Sequence, residues 1–114
     1  MTTVLPTSFA EFLQQQRAAY VNSLPGRLAQ LETLAQQWDQ GAPAGVLPDL
    51  ERWAHGLAGS AGTFGFAALG ETARALELIV EEVRDGAQQG AEITSGLAAL
   101  RAQLRELVAA TATE

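Results

Sequence analysis

The sequence predicts an all-α fold: an antiparallel up-down-up-down four-helix bundle with an additional short N-terminal helix. Three observations carry that expectation. Alanine (22) and leucine (16) supply a third of the 114 residues, whereas valine and isoleucine together number eight, a balance that favours helix over strand. Apolar residues recur at steps of three and four over long stretches, and no segment alternates with period two as a half-buried strand does. Short breaks bearing glycine and proline separate the stretches, and short connections make consecutive helices antiparallel neighbours. A chain of this length is read as one domain over residues 1–114, with one continuous core.

The elements follow in order. Ser8 and Glu11 have capping-box spacing and open a first helix over 8–23, with Phe9, Phe12, Leu13 and Tyr20 on its buried side. Pro25-Gly26 ends that helix near Leu24 or kinks it, because proline lacks the backbone donor and crowds the preceding turn. A second helix is expected over 25–40, marked by Leu28, Leu31, Leu34 or Ala35, and Trp38. Gly41-Ala42-Pro43-Ala44-Gly45 reads as a loop, and Pro48-Asp49 suits the first turn of a helix over 48–62. A Thr63-Phe64-Gly65-Phe66 corner leads into a helix over 67–85, striped by Leu69, Ala73, Leu76, Ile79/Val80 and Val83 and closed by Gly86. The last helix, 91–110, carries Ile93, Leu97, Leu100, Leu104 and Leu107 at steps of 4-3-4-3, a seam for packing at a shallow angle.

Composition also narrows function. With no cysteine there is no disulfide framework, thiolate metal site or cysteine nucleophile. A single histidine excludes His-pair zinc motifs, and a Ser-His-Asp hydrolase would rest entirely on it. A net charge of −6 with seven arginines and no lysine argues against nucleic acid or an anionic membrane as partner. Met1–Pro6 has neither a basic nor an apolar region of a signal peptide. Trp53–Gly70 runs 18 residues without a formal charge, but its five glycines, histidine, serine and threonine make it too polar to span a bilayer. A cytoplasmic location is expected.

The histidine is placed by helix geometry. With Leu50 at zero and about 100° per residue, Leu50, Ala54, Leu57, Ala61 and Phe64 fall within about 40° of zero, one consistent stripe. His55 then lies at about 140° and Gly62 at about 120°. Gly59 falls at about 180°, Arg52 at about 200° and Ala58 at about 80°. His55 is therefore expected to face solvent on a strip rimmed by glycine and alanine. Gly56, Gly59 and Gly62 inside a helix cost about 2–3 kcal/mol together relative to alanine. A lone surface histidine is usually an ordinary surface residue. Here the small rim and Arg52 one turn earlier point instead to a site that another molecule approaches closely, with the arginine available to a phosphate or carboxylate.

Other candidates are weaker. Glu81, Glu82 and Asp85 read as a solvated acidic face; no Glu-x-x-His spacing exists, Glu51 being four residues from His55. Trp38 and Trp53 read as core or core-edge aromatics. Ser60 lies about 140° from His55 around the helix and is a poor triad partner. No metal site is expected.

The segment Ala54-His55-Gly56-Leu57-Ala58-Gly59-Ser60-Ala61-Gly62-Thr63-Phe64-Gly65 resembles the signature of histidine phosphotransfer (HPt) domains. That signature runs His-x-Leu-Lys-Gly, then five residues, then Gly, and His55, Leu57, Gly59 and Gly65 fall at its positions. Leu69, Ala73, Leu76 and Glu77 look like the family's following helix. Ala58 stands where the family commonly has lysine, a cation thought to assist the phosphorylated imidazole, which leaves open a slower relay, a partner that brings its own cation, or compensation by Arg52.

The resemblance implies a phosphoryl carrier without kinase activity, relaying between receiver-domain aspartates through His55. The exposed strip offers Arg52, Gly56, Ala58, Gly59 and Gly62 as the docking surface for that partner, and the motif match places Leu57 and Gly65 in structural roles. No cofactor of its own is implied, Mg²⁺ being expected on the receiver, and the chain is expected to be a monomer. The alternative is a degenerate module that binds or scaffolds a receiver without transfer, for which Ala58 is the reason.

Overall fold

In the computed structural model, residues 4–41, 45–86 and 90–112 are described, with side chains over 8–41, 45–86 and 90–111. The described residues form four helices: α1 Val4–Asp39, α2 Val46–Ala61, α3 Ala67–Arg84 and α4 Ala91–Ala112. A single 3-10 turn, Gly62–Phe64, lies between α2 and α3. No strand occurs among the described residues. Ala42–Ala44, within the loop expected at 41–45, lie outside the described residues.

The separate short N-terminal helix does not form. α1 runs unbroken for 36 residues with Pro25 inside it, and starts at Val4, upstream of the Ser8-Glu11 pair. An interior proline costs about 3 kcal/mol. Leu24 and Leu31, one on each side of it, are fully buried, and each contributes about 1.5–3 kcal/mol. A break at Pro25 would forfeit one of these anchors. Pro25 itself is exposed, so its ring lies on the solvent side of the helix and not in the core. Beside it, Ser23 Oγ donates to the Tyr20 carbonyl (2.6 Å) and accepts from Arg27 Nε (3.0 Å), tying the turn together.

The same helix explains a second correction. Phe9, Phe12 and Leu13 are 63%, 52% and 51% exposed, not buried. Every residue from Ser8 to Ala19 is exposed, and burial begins at Tyr20. At about 1.5 Å per residue α1 is about 54 Å long against about 33 Å for α4, so its first turns overhang the other helices. Phe9 and Leu13 continue the core stripe of α1, Phe12 lies to its side, and no described residue buries any of them.

Beside Tyr20, Leu24, Leu31 and Ala35 of α1, the core takes up Leu50, Ala54, Leu57 and Ala61 of α2, Leu69, Ala73, Leu76 and Val80 of α3, and Ile93, Leu97, Leu100 and Leu104 of α4, as their spacing anticipates; Val46, ahead of the expected helix start, joins them, and Phe64 is half-buried. Leu107 is half-buried against them, as are Trp38 and Trp53. Trp38 Nε1 donates to Thr94 Oγ1 (3.0 Å) and Glu32 pairs with Arg105 of α4, so α1 and α4 are clasped at two levels. Tyr20 joins α1 to the far end of α2 through Ser60 Oγ (2.9 Å) and stacks on Phe64. No described helix is long and apolar enough to cross a membrane.

Candidate functional site

His55 stands on α2 as the helical wheel requires. Leu50, Ala54, Leu57 and Ala61 are fully buried, while the His55 side chain is 74% exposed. Its Nδ1 lies 2.7 Å from Oε2 of Glu77 on α3. Glu77 is the one charged residue in the core of the described structure, 8% exposed and flanked by Leu76 and Val80. An ionised carboxylate only accepts hydrogen bonds, so Nδ1 carries the hydrogen and donates it. In the neutral ring that contact assigns the tautomer, with Nε2 keeping its lone pair as the nitrogen left for chemistry.

The sequence reading placed Glu77 on the helix after the histidine but gave it no role. The signal was present in part. A carboxylate one position from Leu76 sits about 100° from the stripe centre, at the edge of a core, and a buried charge needs a partner. Which partner depends on how α2 and α3 pack, and the sequence alone does not give that.

Around this pair the two helices make a shallow pocket lined by Pro48, Glu51, Arg52, His55, Glu77, Glu81 and Arg84. Arg84 is ion-paired to Glu51 across the helices. Arg52 is 77% exposed and contacts Asp49 at 3.2 Å, a pair one turn apart on the same helix. The carboxyl of Glu81 is held above the ordinary carboxylate range. Partial burial is the main cause, then the hydrogen bond and repulsion from Glu51 and repulsion from Glu77, with Arg84 opposing them. The acidic face expected at Glu81, Glu82 and Asp85 thus divides: Glu82 and Asp85 are exposed, while Glu81 turns into the histidine pocket. Among the described residues no group of three or more His, Asp or Glu could hold a metal ion.

The glycine rim is open. Gly56, Gly59 and Gly62 are exposed, and a Cβ added at any of them would meet nothing within 4 Å. The fold itself therefore does not ask for glycine at these places, and alanine at each would be about 0.5–1 kcal/mol better. Gly65 is different. Its φ of +91° is left-handed, and its N–H donates to the Gly62 carbonyl (3.2 Å) as the chain turns toward α3. Leu57 is fully buried and Ala58 half-buried, on the side where α2 meets α3. Gly70 of α3 is buried against this side, and a Cβ added to it would lie 3.5 Å from the Ala58 carbonyl oxygen, an ordinary contact. Ser60 is engaged with Tyr20 and the Gly56 carbonyl, away from His55.

One family model matches this chain, that of the Hpt domain, over residues 15–113. The chain belongs to the Hpt family. Hpt domains serve histidine phosphotransfer in phosphorelay signalling, where they interact with receiver domains. The matched segment of this Hpt protein takes in all of α2, α3 and α4 and excludes Phe9, Phe12 and Leu13 on the overhanging start of α1. Comparison with curated proteins and with solved structures gave no match.

Proposed function

We propose that this Hpt protein is a phosphoryl carrier in which Nε2 of His55 accepts the group from a receiver-domain aspartate and passes it to another. The observation that carries the reading is the Nδ1–Glu77 hydrogen bond of 2.7 Å beneath an otherwise exposed imidazole. It leaves an unhindered nucleophile of defined tautomer on a rigid helix. The architecture we propose around it is a single up-down-up-down bundle. The Tyr20–Ser60, His55–Glu77 and Trp38–Thr94 contacts support that order.

In the forward step the Nε2 lone pair attacks the phosphorus of the aspartyl phosphate. The N–P bond forms as the P–O bond to the aspartyl carboxylate breaks, and that carboxylate leaves as the anion. The ring becomes an imidazolium whose remaining proton stays on Nδ1 against Glu77, so the developing positive charge meets a carboxylate already in place. The reverse step restores the neutral ring. The receiver is the source of Mg²⁺ in this scheme, with no cofactor held by the Hpt chain, and the open faces of Gly56, Gly59 and Gly62 admit the receiver's backbone. Arg52 and Ala58 flank His55 on this docking face, while Leu57 and Gly65 hold the helix and its exit turn. The working state we propose is a cytoplasmic monomer.

Ala58 favours a second reading, a module that binds a receiver without transfer. Incubation with a phosphorylated receiver separates the two. Transfer to the wild type but not to His55→Gln is expected; stable receiver binding with no phosphate transferred selects the second reading.

A further inference from the structure

The pocket around His55 is short of positive charge. A phosphoryl group brings up to two negative charges to a place already lined by Glu51, Glu77 and Glu81. The family's cation is missing, since position 58 is alanine and the chain has no lysine. Two arginines line the pocket. Arg84 is ion-paired to Glu51, whose side chain is 21% exposed, and is committed to bridging α3 and α2.

Arg52 is held differently. Its contact is with Asp49 at 3.2 Å, and both side chains are well exposed, at 77% and 52%. Pairs of that kind contribute little and are readily exchanged. Arg52 and His55 are also separated by three positions on α2, which makes them surface neighbours about 5–6 Å apart at Cβ. Helical side chains lean toward the N-terminus, so the imidazole leans over the turn that carries Arg52. A guanidinium offers paired donors to phosphoryl oxygens, which an exposed Asp49 carboxylate accepts no better.

We infer that Arg52 is the phosphoryl-binding cation of this site, releasing Asp49 and turning to the phosphoryl oxygens once His55 carries the group. It takes over from the opposite flank the role that the lysine at position 58 has in the family pattern. The inference rests on the reading that His55 is phosphorylated, and its test separates the two.

The full chain is treated with phosphoramidate, which needs no receiver. The N–P bond to Nε2 forms as the reagent's P–N bond breaks, and ammonia departs. The phosphoryl resonance of the product is then titrated by phosphorus NMR, together with the Nε–H resonance of Arg52. Arg52 favours the dianion, so Arg52→Gln is expected to raise the proton affinity of the phosphoryl group about threefold to tenfold. Arg52→Gln/Ala58→Lys is expected to restore the wild-type titration. Arg105→Gln makes the same change in net charge at the Glu32 pair between α1 and α4, and is expected to titrate as wild type. On phosphorylation the Arg52 Nε–H resonance shifts. A labelled Arg52→Gln protein that titrates as wild type, or as Arg105→Gln does, overturns the assignment of Arg52 and leaves the carrier reading standing. Failure of the reagent to label His55 overturns both.

Discussion

Replacing Glu77 by glutamine keeps the volume of the side chain and removes its charge. The carboxylate side chain is 10% exposed and meets Nδ1 at 2.7 Å, whereas the imidazole is 74% exposed. A hydrogen bond to a charged group contributes about 1.5–3 kcal/mol. Exposure of the imidazole half screens it, leaving about 0.8–1.5 kcal/mol. In phosphoryl transfer this is felt most in the transition state, where the ring gains positive charge. At about 1.36 kcal/mol per decade, Glu77→Gln slows transfer from a phosphorylated receiver about fourfold to twelvefold in single-turnover measurements. The glutamine amide can also present its donor to Nδ1, which favours the tautomer with hydrogen on Nε2 and no lone pair for attack. The nitrogen NMR shifts of the His55 ring therefore change along with the rate, a readout that a purely structural role for Glu77 does not move. Wild-type rate with unchanged ring shifts refutes the reasoning.

Gly59→Leu places a side chain in open space and replaces a poor helix former, so thermal unfolding rises by a few degrees, the variant being more stable by about 0.5–1 kcal/mol. Receiver binding, measured by calorimetry, weakens at least about tenfold, as one blocked close approach costs about 1.4 kcal/mol or more; equal loss of folding and binding refutes the open rim. Glu81→Gln bears on pH. The folded protein holds the Glu81 proton more tightly than the unfolded chain, so the contribution of Glu81 to stability is present at low pH and lost as pH rises through its elevated range. Denaturant titrations at several pH values are therefore expected to find Glu81→Gln more stable than wild type at about pH 7, with the gap closing as the solution is acidified. Phe12→Ser, on the overhang, changes unfolding free energy by less than about 0.5 kcal/mol, whereas Leu76→Ala in the core lowers it by about 2–5 kcal/mol. Comparable losses in the two contradict the overhang.

The sequence made most of the core legible because burial here follows helical periodicity. Leu50, Ala54, Leu57 and Ala61 share one face, as do the leucines of α4, and the outward angle of His55 follows from the same arithmetic. Two things were not legible. At Pro25 a local penalty of about 3 kcal/mol competes with burial of Leu24 and Leu31, and only the packed structure decides which is larger. At Phe9 and Leu13 the spacing is that of a buried stripe, but spacing does not report whether a neighbour exists at that height along the bundle. The site divides in the same way. His55 and its glycine rim lie within one helix and one stretch of sequence, so they could be read directly. Glu77, 22 positions later, and the carboxyl pairing of Glu51 with Glu81 depend on the register between α2 and α3.

The most direct test of the central claim is to locate the phosphoryl group on the ring. Wild-type protein phosphorylated by a receiver is digested under mild alkaline conditions that preserve phosphohistidine, and the labelled peptide is identified by mass spectrometry. The intact protein's nitrogen and phosphorus NMR then distinguish the two ring positions. The account predicts a single acid-labile, base-stable group on Nε2 of His55, with Nδ1 still protonated against Glu77 and no label in His55→Gln. A group on Nδ1, or undiminished labelling of His55→Gln, contradicts it.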